Sequence, residues 1–140
     1  MNKYRALREK QSKEFQAFPI FFAFNNEQFA EGMKKLGLKP TDTKLIYKLG
    51  SSGGFYRKTD AAALKEMFSR HEAEMREAMK DDKFLYDMFY YELGNHEYGY
   101  TYDLFPVLEA CGLTYDEVKK DQRLADALKN AQIDYLEIHR

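Results

Sequence analysis

The stretch Phe84-Leu-Tyr-Asp-Met-Phe-Tyr-Tyr-Glu-Leu93 decides the fold. Apolar and aromatic side chains follow one another through it, so a helix over residues 84–93 has almost no polar face. Such a helix belongs in the middle of a fold, because only there is every side covered by other elements. We therefore predict that residues 84–93 form the most buried helix, and that Asp81 and Asp82 interrupt the chain before it.

An amphipathic helix is predicted just upstream, over residues 60–80, with Thr59 or Asp60 as its cap. The pairs Glu66–Arg70 and Glu72–Arg76 have the favourable order for a solvated face. The other face is apolar and consists of Leu64, Met67, Phe68, His71, Met75, Ala78 and Met79. On that face, His71 is predicted to be a buried histidine bonded to a neighbouring side chain, with a ligand as the alternative.

Three further helical segments are predicted after residue 93. A helix starts at Asp103 and ends at Gly112-Leu113, and a short helix and a final helix follow within residues 114–140. Residues 94–101 are expected to be irregular, with the central helix ending at Gly94. The polar segment 1–16 is predicted to be a loosely packed helix that frays.

A small antiparallel sheet is predicted in the first half of the chain. Residues 19–24 are bulky and apolar, typical of a strand buried on both faces. Asn25 or Asn26 then caps a helix that Gly37 stops. Strands at 44–49 and 55–58 form a hairpin across the glycine-rich loop 50–54. The predicted fold class is α+β, a mostly helical single domain over residues 1–140 around three strands.

Composition excludes several classes of protein. The 140 residues are 44% apolar and carry a net charge of −1, which leaves no overall field to attract duplex DNA or an anionic membrane. The longest apolar run, residues 19–24, is too short to span a bilayer, and residues 1–13 lack the apolar core of a signal peptide. The single cysteine, Cys111, excludes an internal disulfide and a cysteine zinc site. We therefore expect a cytoplasmic protein with no cofactor, no metal and no membrane partner.

The segment 104–120 is arranged like a helix-turn-helix motif, but its second piece is unsuited to DNA. Asp116, Glu117 and Asp121 offset Lys119 and Lys120 there, so it is no basic recognition helix. No duplex DNA binding is expected.

The first candidate site is the block 92–98, Glu-Leu-Gly-Asn-His-Glu-Tyr. Glu92 and His96 are four residues apart and would share a face if the helix continued through Gly94. A carboxylate and an imidazole in reach of each other suit acid–base chemistry or a shared metal. Position 100 is Tyr, so the zinc-protease pattern is absent. Three interpretations stay open: a structural clamp on a long loop, a ligand site, and a metal or catalytic site.

The second candidate site is the glycine-rich hairpin that precedes Arg57 and Lys58. Glycines let backbone amides approach an anion, which those two side chains would neutralise. A plain hairpin turn is the alternative, since no P-loop pattern is present. The 11 tyrosines and 11 phenylalanines build either a core with a tyrosine rim or a tyrosine-lined site. The candidate contact residues are Gly53, Gly54, Arg57, Lys58, Glu92, Asn95, His96, Glu97, Tyr98, Tyr100 and Tyr102.

Three motifs carry a resemblance to a known family. They are residues 22–32, Phe-Ala-Phe-Asn-Asn-Glu-Gln-Phe-Ala-Glu-Gly, then Gly53-Gly-Phe, then residues 91–98, Tyr-Glu-Leu-Gly-Asn-His-Glu-Tyr, with Thr101 and Asp103 after them. Over residues 19–114 the chain resembles an uncharacterised family of small proteins of phages and mobile elements, which has no established activity. The resemblance implies an accessory factor that binds a host component, such as a defence nuclease or its nucleotide signal.

The sequence thus favours a non-enzymatic binding protein that antagonises host defence by occupying a host protein or by sequestering a small anionic, nucleotide-like ligand. One alternative is a small hydrolase that uses Glu92, His96 and Glu97. The other is a structural or regulatory interaction module that uses its outer helices. The oligomeric state is open.

Overall fold

Eight helices and three strands make up the part of the chain that the computed structural model describes, residues 1–139. The helices are α1 (Lys3–Ala17), α2 (Asn26–Lys35), α3 (Ala61–Ala78), α4 (Asp82–Asn95), α5 (Tyr98–Thr101), α6 (Phe105–Ala110), α7 (Tyr115–Lys120) and α8 (Gln122–His139). The strands are β1 (Ile20–Phe22), β2 (Ile46–Leu49) and β3 (Gly54–Arg57). This composition confirms the predicted α+β class.

The chain divides into two compact units. The sheet unit is Gln11–Glu72, and the helical unit is Met1–Lys10 with Ala73–Arg140. Each unit has its own cluster of buried apolar side chains. The single domain that we expect over residues 1–140 stays a prediction.

The sheet unit holds the predicted three-stranded antiparallel sheet, in the order β1-β3-β2. Phe21 lies opposite Phe55 in the register, and the two rings stack with centroids 5.3 Å apart. Gly32 of α2 lies against the ring of Phe21, where a Cβ atom would clash. The prediction that β1 is buried on both faces is wrong, because α2 covers the face of Phe21 while Phe22 is exposed.

Two elements of the sheet unit start later than predicted. A 3-10 turn, Thr43–Leu45, takes the first residues of the expected strand, so β2 begins at Ile46. A second 3-10 turn, Lys58–Asp60, leads directly into α3. The Asp60 carboxylate accepts a hydrogen bond from Arg57 Nε at 2.8 Å within that turn. The first 3-10 turn therefore stands where the sequence predicts the start of β2, and the second stands where it predicts a side-chain cap for α3.

The predicted start and stop of α2 are confirmed. The Asn25 side chain accepts a hydrogen bond from the Gln28 backbone N–H at 2.8 Å. At the other end Gly37 has φ +76°, and the Leu38 N–H donates to the carbonyl of Met33 at 2.8 Å. This is the glycine-terminated helix end that the sequence predicts.

Helix α4 forms the centre of the helical unit, as predicted. Phe84, Leu85, Met88, Phe89 and Leu93 are all buried. The Asp81 carboxylate caps the helix by accepting from the Lys83 N–H. Two acidic side chains, Asp87 and Glu92, are buried in the same helix and need internal partners.

The central helix does not end at Gly94. It continues to Asn95, and the expected irregular segment contains the short helix α5. Glu97 and Tyr102, on either side of α5, have φ of +53° and +54°. The Cβ position of Gly94 lies 3.6 Å from the ring of Tyr135 on α8, so packing against α8 accommodates a glycine inside the helix.

Helix α1 is anchored at its first turn by hydrogen bonds. Asn2 Oδ1 accepts from the Arg5 N–H, and the Lys3 N–H donates to the buried Asp87 carboxylate at 2.8 Å. The ring of Tyr4 is only 1% exposed. Asp87 and Asn2 thus each serve as the partner of one free N–H group at the start of α1.

The last three helices follow the predicted order. The Asp103 carboxylate accepts from the Phe105 N–H, so α6 begins two residues later than expected. Gly112 has φ +71° and ends α6. Thr114 and Glu117 form a reciprocal capping box at the start of α7. In the described part of the chain, no helix has both the length and the apolarity that crossing a membrane requires.

Candidate functional site

Glu92 is the centre of the first candidate site. Its side chain lies on α4 and is only 1% exposed. A buried carboxylate is costly unless hydrogen bonds and an opposite charge compensate for the lost water. The partners of Glu92 therefore decide what this block of residues is able to do.

Two of those partners come from α1. The Tyr4 hydroxyl donates a hydrogen bond of 2.5 Å to Glu92 Oε2 and accepts one of 2.8 Å from Arg8 Nη1. Arg8 Nη1 also lies 3.8 Å from Glu92 Oε2. The result is a chain of guanidinium, phenol and carboxylate that joins α1 to α4, and a tyrosine 88 positions away in sequence supplies its middle member.

Two more neighbours come from the end of α4. Asn95 Nδ2 donates to Glu92 Oε1 at 3.1 Å. His96 Nε2 lies 3.8 Å from the same oxygen, beyond hydrogen-bond distance, and has no hydrogen-bond partner among the described residues. The extension of α4 through Gly94 thus places Glu92 and His96 on one face. The Glu92 carboxylate ties side chains together and does not bind loop backbone.

The surroundings of Glu92 keep the Tyr4 hydroxyl and the Cys111 thiol protonated. Burial raises the pKa of Tyr4, and the hydrogen bond to Glu92 raises it further. Burial also raises the pKa of the Cys111 thiol to about 12, with Glu92 adding to the effect and Arg8 opposing it. A thiol with that pKa is neutral at physiological pH and is a poor nucleophile.

The other residues of the block lie in different environments. Tyr98 is buried and its hydroxyl oxygen accepts from Gln132 Nε2 at 2.9 Å. Tyr100 is 86% exposed, and Tyr102 is exposed with its ring edge-on to that of Tyr98. Glu97 makes the left-handed turn before α5. Glu92, Asn95 and His96 are therefore together, while the tyrosines divide between the interior and the surface.

The second candidate site lies in the sheet unit. Gly53 has φ +84°, and the ring of Phe24 lies where its Cβ would be, while Gly54 is buried at the start of β3. Arg57 is engaged internally, by Asp60 and by a hydrogen bond of 3.2 Å to the Leu36 carbonyl at the end of α2. The Lys58 ammonium lies 5.0 Å from the centre of the Tyr47 ring. The glycines thus meet steric needs of the hairpin, and the guanidinium already has two partners.

His71 is partly buried and lies near a carboxylate, but among the described residues its Nε2 atom lacks the hydrogen bond that the sequence predicts. Its Nε2 atom is 3.5 Å from Glu14 Oε2, which also accepts a hydrogen bond of 2.5 Å from Arg70. That hydrogen bond is the main cause that lowers the pKa of Glu14 to about 2. The arrangement is an ion pair with a histidine beside it.

Sequence reasoning missed an apolar groove on the helical unit, which we call the aromatic groove. Its volume is about 380 Å³. It is lined by Phe105, Leu108, Glu109, Gly112, Leu113, Thr114 and Tyr115. Phe105 is 70% exposed and Tyr115 is exposed too, although both lie beside predicted helix boundaries. The signal that could have revealed the groove is the presence of two large aromatic residues, Phe105 and Tyr115, on either side of the Gly112 that ends the helix.

The protein is a small α+β protein whose buried carboxylate cluster is closed and whose exposed aromatic side chains line a groove. Comparison with protein families matches residues 3–134 to the family of unknown function DUF7659. The chain belongs to this family. Curated proteins and solved structures contain no significant match to it.

Proposed function

We propose that this protein is a non-enzymatic binding protein that acts by occupying a protein partner. The observation that carries the proposal is the exposure of Tyr100, Tyr102, Phe105 and Tyr115 within one short stretch of the helical unit. Tyrosine and other aromatic side chains are the usual anchors of protein interfaces. A groove lined by two of these rings gives a partner a place to bury apolar side chains.

The geometry around Glu92 weighs against the hydrolase alternative. A general base or metal ligand has to reach the substrate or ion, whereas the Glu92 carboxylate is enclosed and bonded to Tyr4 and Asn95. The unpartnered Nε2 atom of His96 is a feature that favours an enzyme.

The two other forms of the binding hypothesis have less support. A small anionic ligand at residues 95–102 would meet Glu97 and Asp103, and in the hairpin it would have to displace Asp60 from Arg57. An interaction through the last helix would use Ile133 and Ile138, which are exposed. These two positions are five residues apart, or about 140° around a helix, so they do not form one face.

The resemblance to proteins of phages and mobile elements supports a protein of the host cell as the proposed partner. A small binding protein in that setting antagonises a host defence system by covering a working surface of one of its proteins. The groove supports a protein as the target over a nucleotide signal.

Affinity purification from the native host tests this proposal, with three single variants alongside the wild type. We expect one protein to co-elute in a fixed ratio with the wild type and with His96→Ala, and to be lost from Phe105→Ala. Phe24→Ala is the matched control, because Phe24 is 76% exposed and lies in the sheet unit. Substrate turnover that disappears in His96→Ala, without any co-eluting protein, would overturn the proposal.

A further inference from the structure

The charges around the aromatic groove define what kind of partner it accepts. Residues 97–118 contain five acidic side chains and no lysine, arginine or histidine. The acidic residues are Glu97, Asp103, Glu109, Asp116 and Glu117. For a chain whose net charge is −1, this is a marked local excess of negative charge.

Three of these carboxylates are held at the groove itself. Glu109 lines it. The Asp103 carboxylate accepts a hydrogen bond of 3.0 Å from the N–H of Phe105, and the Glu117 carboxylate accepts one of 3.0 Å from the N–H of Thr114. Since Phe105 and Thr114 are lining residues, the negative charges are fixed beside the apolar surface by backbone hydrogen bonds.

Lys119 and Lys120 follow directly after this stretch and oppose its charge. The Lys119 ammonium lies 5.5 Å from the centre of the Tyr115 ring. The three carboxylates at the groove, two of them held by backbone hydrogen bonds, outnumber the one ammonium that lies against a lining ring, so the groove favours a positively charged occupant.

The secondary structure of the helical unit indicates whether a bound segment is a strand or a helix. The described part of the helical unit contains no strand, so a bound segment has no sheet edge to extend. The aliphatic side chains of Leu108 and Leu113 line the groove together with the two rings. Apolar anchors on one face of a helix fit such a groove, and basic side chains beside them reach the carboxylates.

We propose that the aromatic groove binds a basic amphipathic helix of the partner protein, with apolar side chains on Phe105 and Tyr115 and lysine or arginine side chains on Asp103, Glu109 and Glu117. This inference rests on the proposed function and names the chemistry of its partner. Its attraction is electrostatic at the rim, so binding weakens as salt rises.

Fluorescence anisotropy with three labelled synthetic peptides of about 15 residues tests the proposal. The first is a leucine–lysine peptide with leucines at helical spacing, the second a scrambled peptide of the same composition, and the third the leucine–glutamate counterpart. We expect the wild type to bind the first peptide at least about tenfold more tightly than the other two, a difference of about 1.4 kcal/mol.

Variants of the protein locate the binding. Phe105→Ala is expected to weaken binding of the leucine–lysine helix about tenfold, as for an interface anchor. Glu109→Gln is expected to weaken it less and to reduce its salt dependence, while Lys119→Gln strengthens it. Phe24→Ala is expected to bind as the wild type does.

Equal binding of the helical and scrambled basic peptides, or undiminished binding by Phe105→Ala, would overturn the inference. A host partner that depends on Phe105 would then still support the proposed function, because such a partner could present a neutral or acidic segment. A failure of the proposed function would instead appear as the absence of any Phe105-dependent partner.

Discussion

Tyr4 is the residue that compensates for the buried charge of Glu92. Its hydroxyl donates to Glu92 and accepts from Arg8, so it forms a hydrogen-bonded bridge between the Arg8 guanidinium and the buried Glu92 carboxylate. A carboxylate that loses such a donor in the interior regains no water in exchange. The hydrogen bond between Tyr4 and Glu92 therefore stabilises the folded protein, because breaking it leaves a buried carboxylate without its donor.

Replacing Tyr4 by phenylalanine tests that contribution. We expect Tyr4→Phe to lower the free energy of unfolding by about 1–3 kcal/mol, because Glu92 keeps Asn95 as its only direct donor. Urea unfolding measures the change. Tyr47→Phe, at an exposed tyrosine, is the control and should be close to neutral. Equal losses in both variants would show that the Glu92 hydrogen bond is not the cause.

Glu14 makes stability depend on pH in the acid range. The hydrogen bond from Arg70 is the main cause that lowers its pKa from 4.5 to about 2, and His71 contributes to the same shift. A carboxyl group whose pKa is lower in the folded state stabilises the protein above pH 4.5, and that stabilisation is lost as the pH falls from 4.5 towards 2.

The variant Glu14→Gln should therefore lose less of its stability than the wild type between pH 4.5 and 2. Thermal unfolding at a series of pH values measures the difference. Arg70→Gln should flatten the dependence in part, since it removes the main partner of Glu14 and leaves His71 in place. An unchanged acid dependence in Glu14→Gln would contradict the assignment.

At the scale of elements, α4 determines whether the helical unit has a core. Phe89 is completely buried near the middle of α4. We expect Phe89→Ala to lower the free energy of unfolding by about 3–5 kcal/mol, because it leaves a cavity that neighbouring side chains fill only in part. The exposed Phe105→Ala should change it little. Denaturant unfolding of the two variants checks this, and a small loss in Phe89→Ala would mean that the core repacks.

The ends of α2 and α6 depend on glycine in the left-handed conformation. Gly37 and Gly112 have φ of +76° and +71°, and no atom lies within 4 Å of either Cβ position. A side chain at Gly112 therefore meets no steric obstacle beyond the backbone strain. We expect Gly112→Ala to cost about 1–2 kcal/mol and Gly112→Asn to cost less. Unfolding measurements that show equal costs would indicate a packing effect instead.

At the scale of the whole molecule, charge sets the range of partners. The net charge of −1 and the acidic stretch from residue 97 to residue 118 disfavour a polyanion. We expect no binding to random duplex DNA in the low-micromolar range at physiological salt, measured by anisotropy. Tighter binding that weakens steeply with added salt would reveal a basic patch elsewhere on the surface.

The sequence alone determined the features that local chemistry controls. The continuous apolar run predicts the burial of α4, glycines before leucines predict the ends of α2 and α6, and a glycine loop between two short strands predicts the hairpin. Each of these signals acts within a few residues, through side-chain periodicity or through the backbone freedom of glycine. For that reason the α+β class follows from the sequence.

The tertiary structure decided how the candidate site is assembled. The bond from Tyr4 to Glu92 spans 88 positions, and no local pattern predicts which buried hydroxyl meets a buried carboxylate. Helix α4 continues through Gly94 to Asn95 while it packs against α8, and tertiary contacts of this kind outweigh the weak helix preference of glycine. Phe105 and Tyr115 line a surface groove because the neighbouring helices leave their rings uncovered. Which faces meet is settled by the packing of all the elements together, so the sequence indicated Glu92, Asn95 and His96, and the fold added Tyr4 and Arg8 to them.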